Sequence, residues 1–96
     1  MVIGLLKVEI YIDSSRSLKD KRRVVKSLIQ KVKSRFTNLS VSEVLLLDSW
    51  KNSIIALVTV SNDIKHINSI MDKVLNFINE GNNYQVTASE IELLNY

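Results

Sequence analysis

The chain has 96 residues, which suits one small domain and excludes a large multidomain machine. It has no cysteine, a single histidine and two widely separated glycines, Gly4 and Gly81. Disulfides, cysteine-ligated zinc, iron–sulfur clusters, a thiol nucleophile, paired-histidine zinc motifs and a glycine-rich phosphate loop are thereby excluded. Thirteen basic residues against ten acidic ones leave a net charge of +3.

The first strand is read over residues 2–12, where Val2, Leu6, Val8, Ile10 and Ile12 alternate with Lys7, Glu9 and Tyr11. The apolar start is short and interrupted by Lys7 and Glu9, so a signal peptide is not expected. Residues 13–17 are polar and turn-forming. The spacing predicts a helix over residues 18–36, with Leu18, Val25, Leu28, Ile29, Val32 and Phe36 within about 100° of arc. Ser17 is the expected cap, with Asp20 favouring the helix N-terminus. Residues 41–47 and 50–61 are apolar and β-branched around Asp48-Ser49, and read as a hairpin.

Ser61-Asn62-Asp63 offers caps for a second helix. Its apolar stripe is Ile67, Ile70, Met71, Val74, Leu75 and Ile78, and Gly81 suits a left-handed terminator. A last strand covers residues 84–94, with a change of phase near Ser89-Glu90 that predicts a bulge there. No apolar run approaches the length of a membrane span, so no membrane partner is expected.

The order β-α-β-β-α-β predicts the α+β class, as a ferredoxin-like two-layer sandwich with an antiparallel four-stranded sheet in one domain, 1–96. Right-handed crossovers place both helices on one sheet face and make the first and third strands central. The expected core is Val8, Ile10, Val25, Leu28, Val58, Val60, Ile67 and Val74. Ile3, Leu5, Ile55 and Leu57 are then expected on the outer face, with Ile91 and Leu93 extending the patch. So large an apolar surface predicts a homodimer or higher homo-oligomer, or a protein partner on this face; the competing reading is a monomer in which Lys7 and Tyr11 cover the patch.

Charge is strongly segregated. Residues 16–35 hold nine basic side chains and one acid, whereas the rest of the chain holds four basic and nine acidic ones. Arg16, Lys19, Lys21, Arg22, Arg23, Lys26 and Lys33 are the candidate phosphate contacts, with Lys19, Arg22, Arg23, Lys26 and Lys33 on one arc of the helix. A merely solvated lysine-rich face and an acidic protein partner are the competing readings. The central strands offer aliphatic residues where an RNA-recognition motif stacks bases on aromatics, so base stacking on the sheet is not expected. His66 is expected to be a partly buried, hydrogen-bonded side chain. At the hairpin, the Glu43 and Asp48 carboxylates suit accepting hydrogen bonds or pairing with lysines, and Trp50 suits capping the core. No catalytic constellation, metal site or cofactor is expected, and the chain does not read as an enzyme.

The run Ser15-Arg16-Ser17-Leu18-Lys19-Asp20-Lys21-Arg22-Arg23 resembles the signature that opens the first helix of the bacterial YlxP-like proteins. Glu43, Asp48-Ser49-Trp50 and Ser61-Asn62-Asp63 match further family positions in order. The family often carries a histidine between the glutamate and the tryptophan, where this chain has Leu46, so a role for that histidine does not transfer. The resemblance implies a ferredoxin-like domain. The family's genes commonly lie among those for a translation initiation factor and a ribosome-binding factor, which implies ribosomal RNA or a ribosomal particle as partner. The cytoplasmic location is expected from the lack of cysteine, signal peptide and membrane run.

Overall fold

The computed structural model describes residues 1–96. The elements are β1 (Val2–Tyr11), α1 (Leu18–Arg35), β2 (Ser40–Leu45), β3 (Asn52–Ser61), α2 (Ile64–Asn79) and β4 (Gln85–Asn95). The sheet has the order β2-β3-β1-β4 with every neighbouring pair antiparallel. Both helices pack on one face, giving the ferredoxin-like sandwich.

Local chemistry sets the helix ends. Ser17 Oγ accepts the Asp20 amide at 3.1 Å, while the Asp20 carboxylate takes the Arg16 amide at 3.0 Å. The Asp20 amide is a donor that the first turn of a helix leaves without an intrahelical partner, and the bond from Arg16 ties the residue before the cap to the same turn. Asp63 does the same for α2, accepting from the amides of Lys65 and His66. The far end of α2 departs from expectation, because Gly81 does not adopt a positive φ. A Cβ there would overlap the Tyr84 ring, whose hydroxyl donates to the Ile78 carbonyl at 2.6 Å. Gly81 is small to admit that ring, which closes the helix end in place of a left-handed turn.

The core lies between sheet and helices. Leu6, Val8 and Ile10 of β1 meet Val25, Leu28 and Val32 of α1 and Ile67, Met71, Val74 and Ile78 of α2. Gly4 faces the same way, and a Cβ there would come within 2.5 Å of Ile67. α2 therefore seats closely on β1.

The predicted faces of β3 are exchanged. Ile55 and Leu57 are buried in the core, whereas Val58 is 38% and Val60 56% exposed on the outer face. Register is the reason: directly opposed residues share a face, and β1 places Leu6 opposite Leu57 and Val8 opposite Ile55. Both parities of β3 are apolar, so alternation carries no information about which one turns inward. Ile91 and Leu93 are corrected likewise. They lie opposite Leu6 and Gly4 and pack against the core. The β4 irregularity falls at Thr87, between the Ile10–Val86 and Glu9–Ala88 pairs, two residues before the expected position. Ile3 and Leu5 remain on the outer face as expected, half-buried.

The exchanged faces predict unequal stabilities. Leu57→Ala should cost about 2–5 kcal/mol in urea unfolding, the range for a truncated core leucine. Val60→Ala should stay within about 0.5 kcal/mol of wild type. Equal losses would contradict the register.

Candidate nucleic-acid interface and the adjoining hairpin

α1 divides its cations between two sides. At 100° per residue, Lys21 falls in line with Val25, Leu28 and Val32, all of them buried. Lys19, Arg22, Arg23, Lys26 and Lys33 occupy an arc away from that stripe and are exposed, as is Arg16 just before the helix. The ion pairs of the chain are Lys7–Glu90 and Lys21–Glu43, so none of these six cations is neutralised within the fold. Arg35 lies over the Phe77 ring, its guanidinium carbon 5.4 Å from the centroid.

Lys21 is therefore corrected from the phosphate-contact set. Its side chain is fully buried. The ammonium lies 3.0 Å from Glu43 Oε2 and donates to the carbonyls of Leu46 at 2.7 Å, Leu47 at 3.1 Å and Asn52 at 3.3 Å. Ser53 Oγ donates to the same carboxylate oxygen of Glu43 at 2.6 Å. Glu43 faces inward because it pairs with Ile55 in the β2–β3 ladder. The i, i+4, i+7, i+11 spacing of Lys21, Val25, Leu28 and Val32 was the sequence signal for this burial. The lysine stem runs along the apolar stripe, and its charged end finds fixed oxygens where it would ordinarily find water.

Two of those oxygens, the carbonyls of Leu46 and Leu47, belong to the β2–β3 connection, residues 46–51. Leu46 holds a φ of 61°, a left-handed conformation costing a non-glycine residue about 1–2 kcal/mol. The carbonyl it presents to Lys21 holds it there. A turn from the Ser49 amide to the Leu46 carbonyl at 3.1 Å and a bond from the Asn52 amide to Ser49 Oγ at 3.1 Å complete the loop. Ser15 Oγ donates to the Trp50 carbonyl, and Lys51 Nζ donates to the Asp13 carbonyl at 2.6 Å. The loop is thus tied to both the first turn of α1 and the segment before it.

The same hairpin exposes Val44, Leu45, Leu46, Leu47 and Trp50. Trp50 does not cap the core as expected; it is 57% exposed. The apolar run 44–47 signalled this in retrospect, since an edge strand that buries one face cannot hide residues of both parities. A second apolar surface is the outer sheet face, where Val58 and Val60 lie opposite Leu5 and Ile3. His66 is exposed on α2, not partly buried.

A cleft of about 320 Å³ lies between α1 and the α2–β4 connection, with Lys31, Glu80 and Tyr84 in its wall. Burial raises the Tyr84 phenol above its ordinary pKa. No group of three histidine, cysteine, aspartate or glutamate side chains is placed to hold a metal ion. No helix is long and apolar enough to cross a membrane.

Residues 3–91 match the model of a family described as protein of unknown function, DUF503. Over 91 residues the chain is 30% identical to the uncharacterized protein YlxP of Bacillus subtilis (strain 168), an alignment covering 95% of this chain and 98% of that protein. Among solved structures, the de novo designed protein Foldit4 aligns with a TM-score of 0.54 at 13% identity, covering 99% of this chain and 97% of the design. That likeness is one of fold alone.

Lys21→Met keeps the stem and removes the charge. It leaves Glu43 and three carbonyls without their cation, and it should cost about 3–5 kcal/mol in urea unfolding, the range for breaking a buried pair. A midpoint equal to wild type would show that the ammonium does not hold the hairpin.

Proposed function

Given that the chain belongs to the DUF503 family of proteins of unknown function, we propose that it is a cytoplasmic RNA-binding accessory factor that grips phosphates with α1. The partner in this reading is ribosomal RNA or a ribosomal particle, and the chain contributes binding without catalysis. One observation carries it: Arg16, Lys19, Arg22, Arg23, Lys26 and Lys33 are exposed and unpaired along one side of the molecule. From Lys19 to Lys33 the helix rises about 21 Å, enough to follow several phosphates. Each neutralised phosphate releases condensed counterions, which favours association and makes it salt-dependent. The composition of the sheet supports the helix over the strands as the contact surface. Its outer face carries Glu9, Glu90 and Glu92 beside aliphatic residues, with Lys7 paired to Glu90 and the one aromatic, Tyr11, at the strand end, which suits neither a row of phosphates nor stacked bases.

A second reading, compatible with the first, has a specific observation behind it. Ile3, Leu5, Val58, Val60 and Leu94 form an apolar half of the outer sheet face, and Val60 is 56% exposed. A second copy placed face to face would cover it. The sheet measures about 33 Å by about 14 Å, so it buries less than the roughly 800 Å² per partner of a tight complex. The pairing expected is weak and concentration-dependent.

Arg22→Glu with Arg23→Glu should abolish RNA retention on filters. For wild type, six contacts to single-stranded RNA give a slope of log affinity against log salt of about −4.2, that is, about −0.7 per contact. No retention at low salt and no co-sedimentation with ribosomal particles would refute the first reading. Light scattering should show mass rising with concentration, and Leu5→Glu with Val58→Glu should hold the chain monomeric. A wild type that is monomeric at millimolar concentration would refute the second.

A further inference from the structure

We propose that Trp50 is a stacking platform for an unpaired nucleobase, so that the RNA held by α1 is single-stranded where it reaches the hairpin. The inference rests on the phosphate-binding reading of α1 and adds to it the kind of RNA recognised. Trp50 is the chain's only tryptophan. It has the largest apolar surface to hide, yet it is 57% exposed and outside the core cluster. Its backbone is nevertheless anchored. The Trp50 carbonyl accepts from Ser15 Oγ, and the turn before it is fixed by the bonds to Leu46 and Ser49 and by the buried Lys21 ammonium. A ring displayed on an anchored backbone can bind a ligand without the cost of ordering its loop.

The surroundings indicate which ligand. Ser15, which holds Trp50, is followed directly by Arg16, the first of the unpaired cations. On the other side Lys51 is anchored on the Asp13 carbonyl and lies 5.9 Å from the Tyr11 ring centroid. An indole held next to the start of the basic helix complements an unpaired base whose flanking phosphates reach the exposed cations of α1. A base within a duplex offers no free face to an indole, so stacking selects loops, bulges and strand ends. The platform is the hairpin tip and not the sheet, which is where this chain differs from a module that stacks bases on its central strands.

The single tryptophan makes the test direct. The full chain is titrated at low salt with a mixed-sequence single-stranded RNA 12-mer and with a fully paired RNA of the same length, following indole emission and, separately, filter retention. The single strand should quench the emission strongly and the duplex should not. Trp50→Ala should weaken retention of the single strand by about 5- to 150-fold, the effect of losing one base–aromatic stack, and leave duplex retention within about twofold. Trp50→Phe should recover most of the loss. Because Trp50 is outside the core, both variants should unfold with the wild-type midpoint. Retention of neither RNA by wild type would overturn the α1 reading and this proposal together. Single-strand retention unchanged in Trp50→Ala would overturn the Trp50 platform alone. So would quenching by RNA-free ribosomal proteins without quenching by RNA, which would assign the tip to a protein partner.

Discussion

One buried ammonium group organises the end of the molecule where the candidate interface lies. Removing a lysine charge from water costs several kcal/mol, and attraction to one carboxylate rarely offsets that alone. Lys21 meets the cost with a near-complete replacement for its hydration shell: Glu43 at 3.0 Å and three backbone carbonyls at 2.7–3.3 Å. The oxygens come from β2, the connecting loop and the first residue of β3. A single cation on α1 therefore joins the helix layer to three parts of the hairpin. It also holds Leu46 in a left-handed conformation that nothing in a leucine side chain favours.

The consequence is a division of labour among like residues. The cations between Arg16 and Arg35 look equivalent by composition, but Lys21 is structural and the others face solvent. Their charge is uncompensated because the acids lie elsewhere. Glu43 is taken up by Lys21, and Glu90, on the outer sheet face, is paired with Lys7. The fold thus presents a basic helix side, an apolar hairpin tip beside its start and a part-apolar sheet face turned away from both helices.

Much of this was legible in the residues. Alternation in β1, the 3.6-residue stripes of both helices and the caps Ser17 and Asp63 are local signals, each written within a few residues of where it acts. β3 was not legible, because Ile54 to Val60 are apolar on both parities and only pairing with β1 selects Ile55 and Leu57 for the core. β4 shares the difficulty, with the Thr87 irregularity moving Ile91 and Leu93 to the inner face. Gly81 departs from the helix-ending pattern for a different reason. The close approach it permits is to Tyr84, a contact that helix-ending patterns do not describe.

The sequence by itself determined the order of elements, the ferredoxin-like class and the concentration of positive charge on the first helix. These depend on periodicity, capping and composition, which are properties of short stretches of chain. Tertiary structure alone decided which face of β3 is core, which oxygens receive the Lys21 ammonium and that Trp50 stands in solvent near the start of α1. Each of those depends on register and on oxygens brought together from residues 43, 46, 47 and 52 around residue 21. No periodicity in the chain encodes where a distant carbonyl will point.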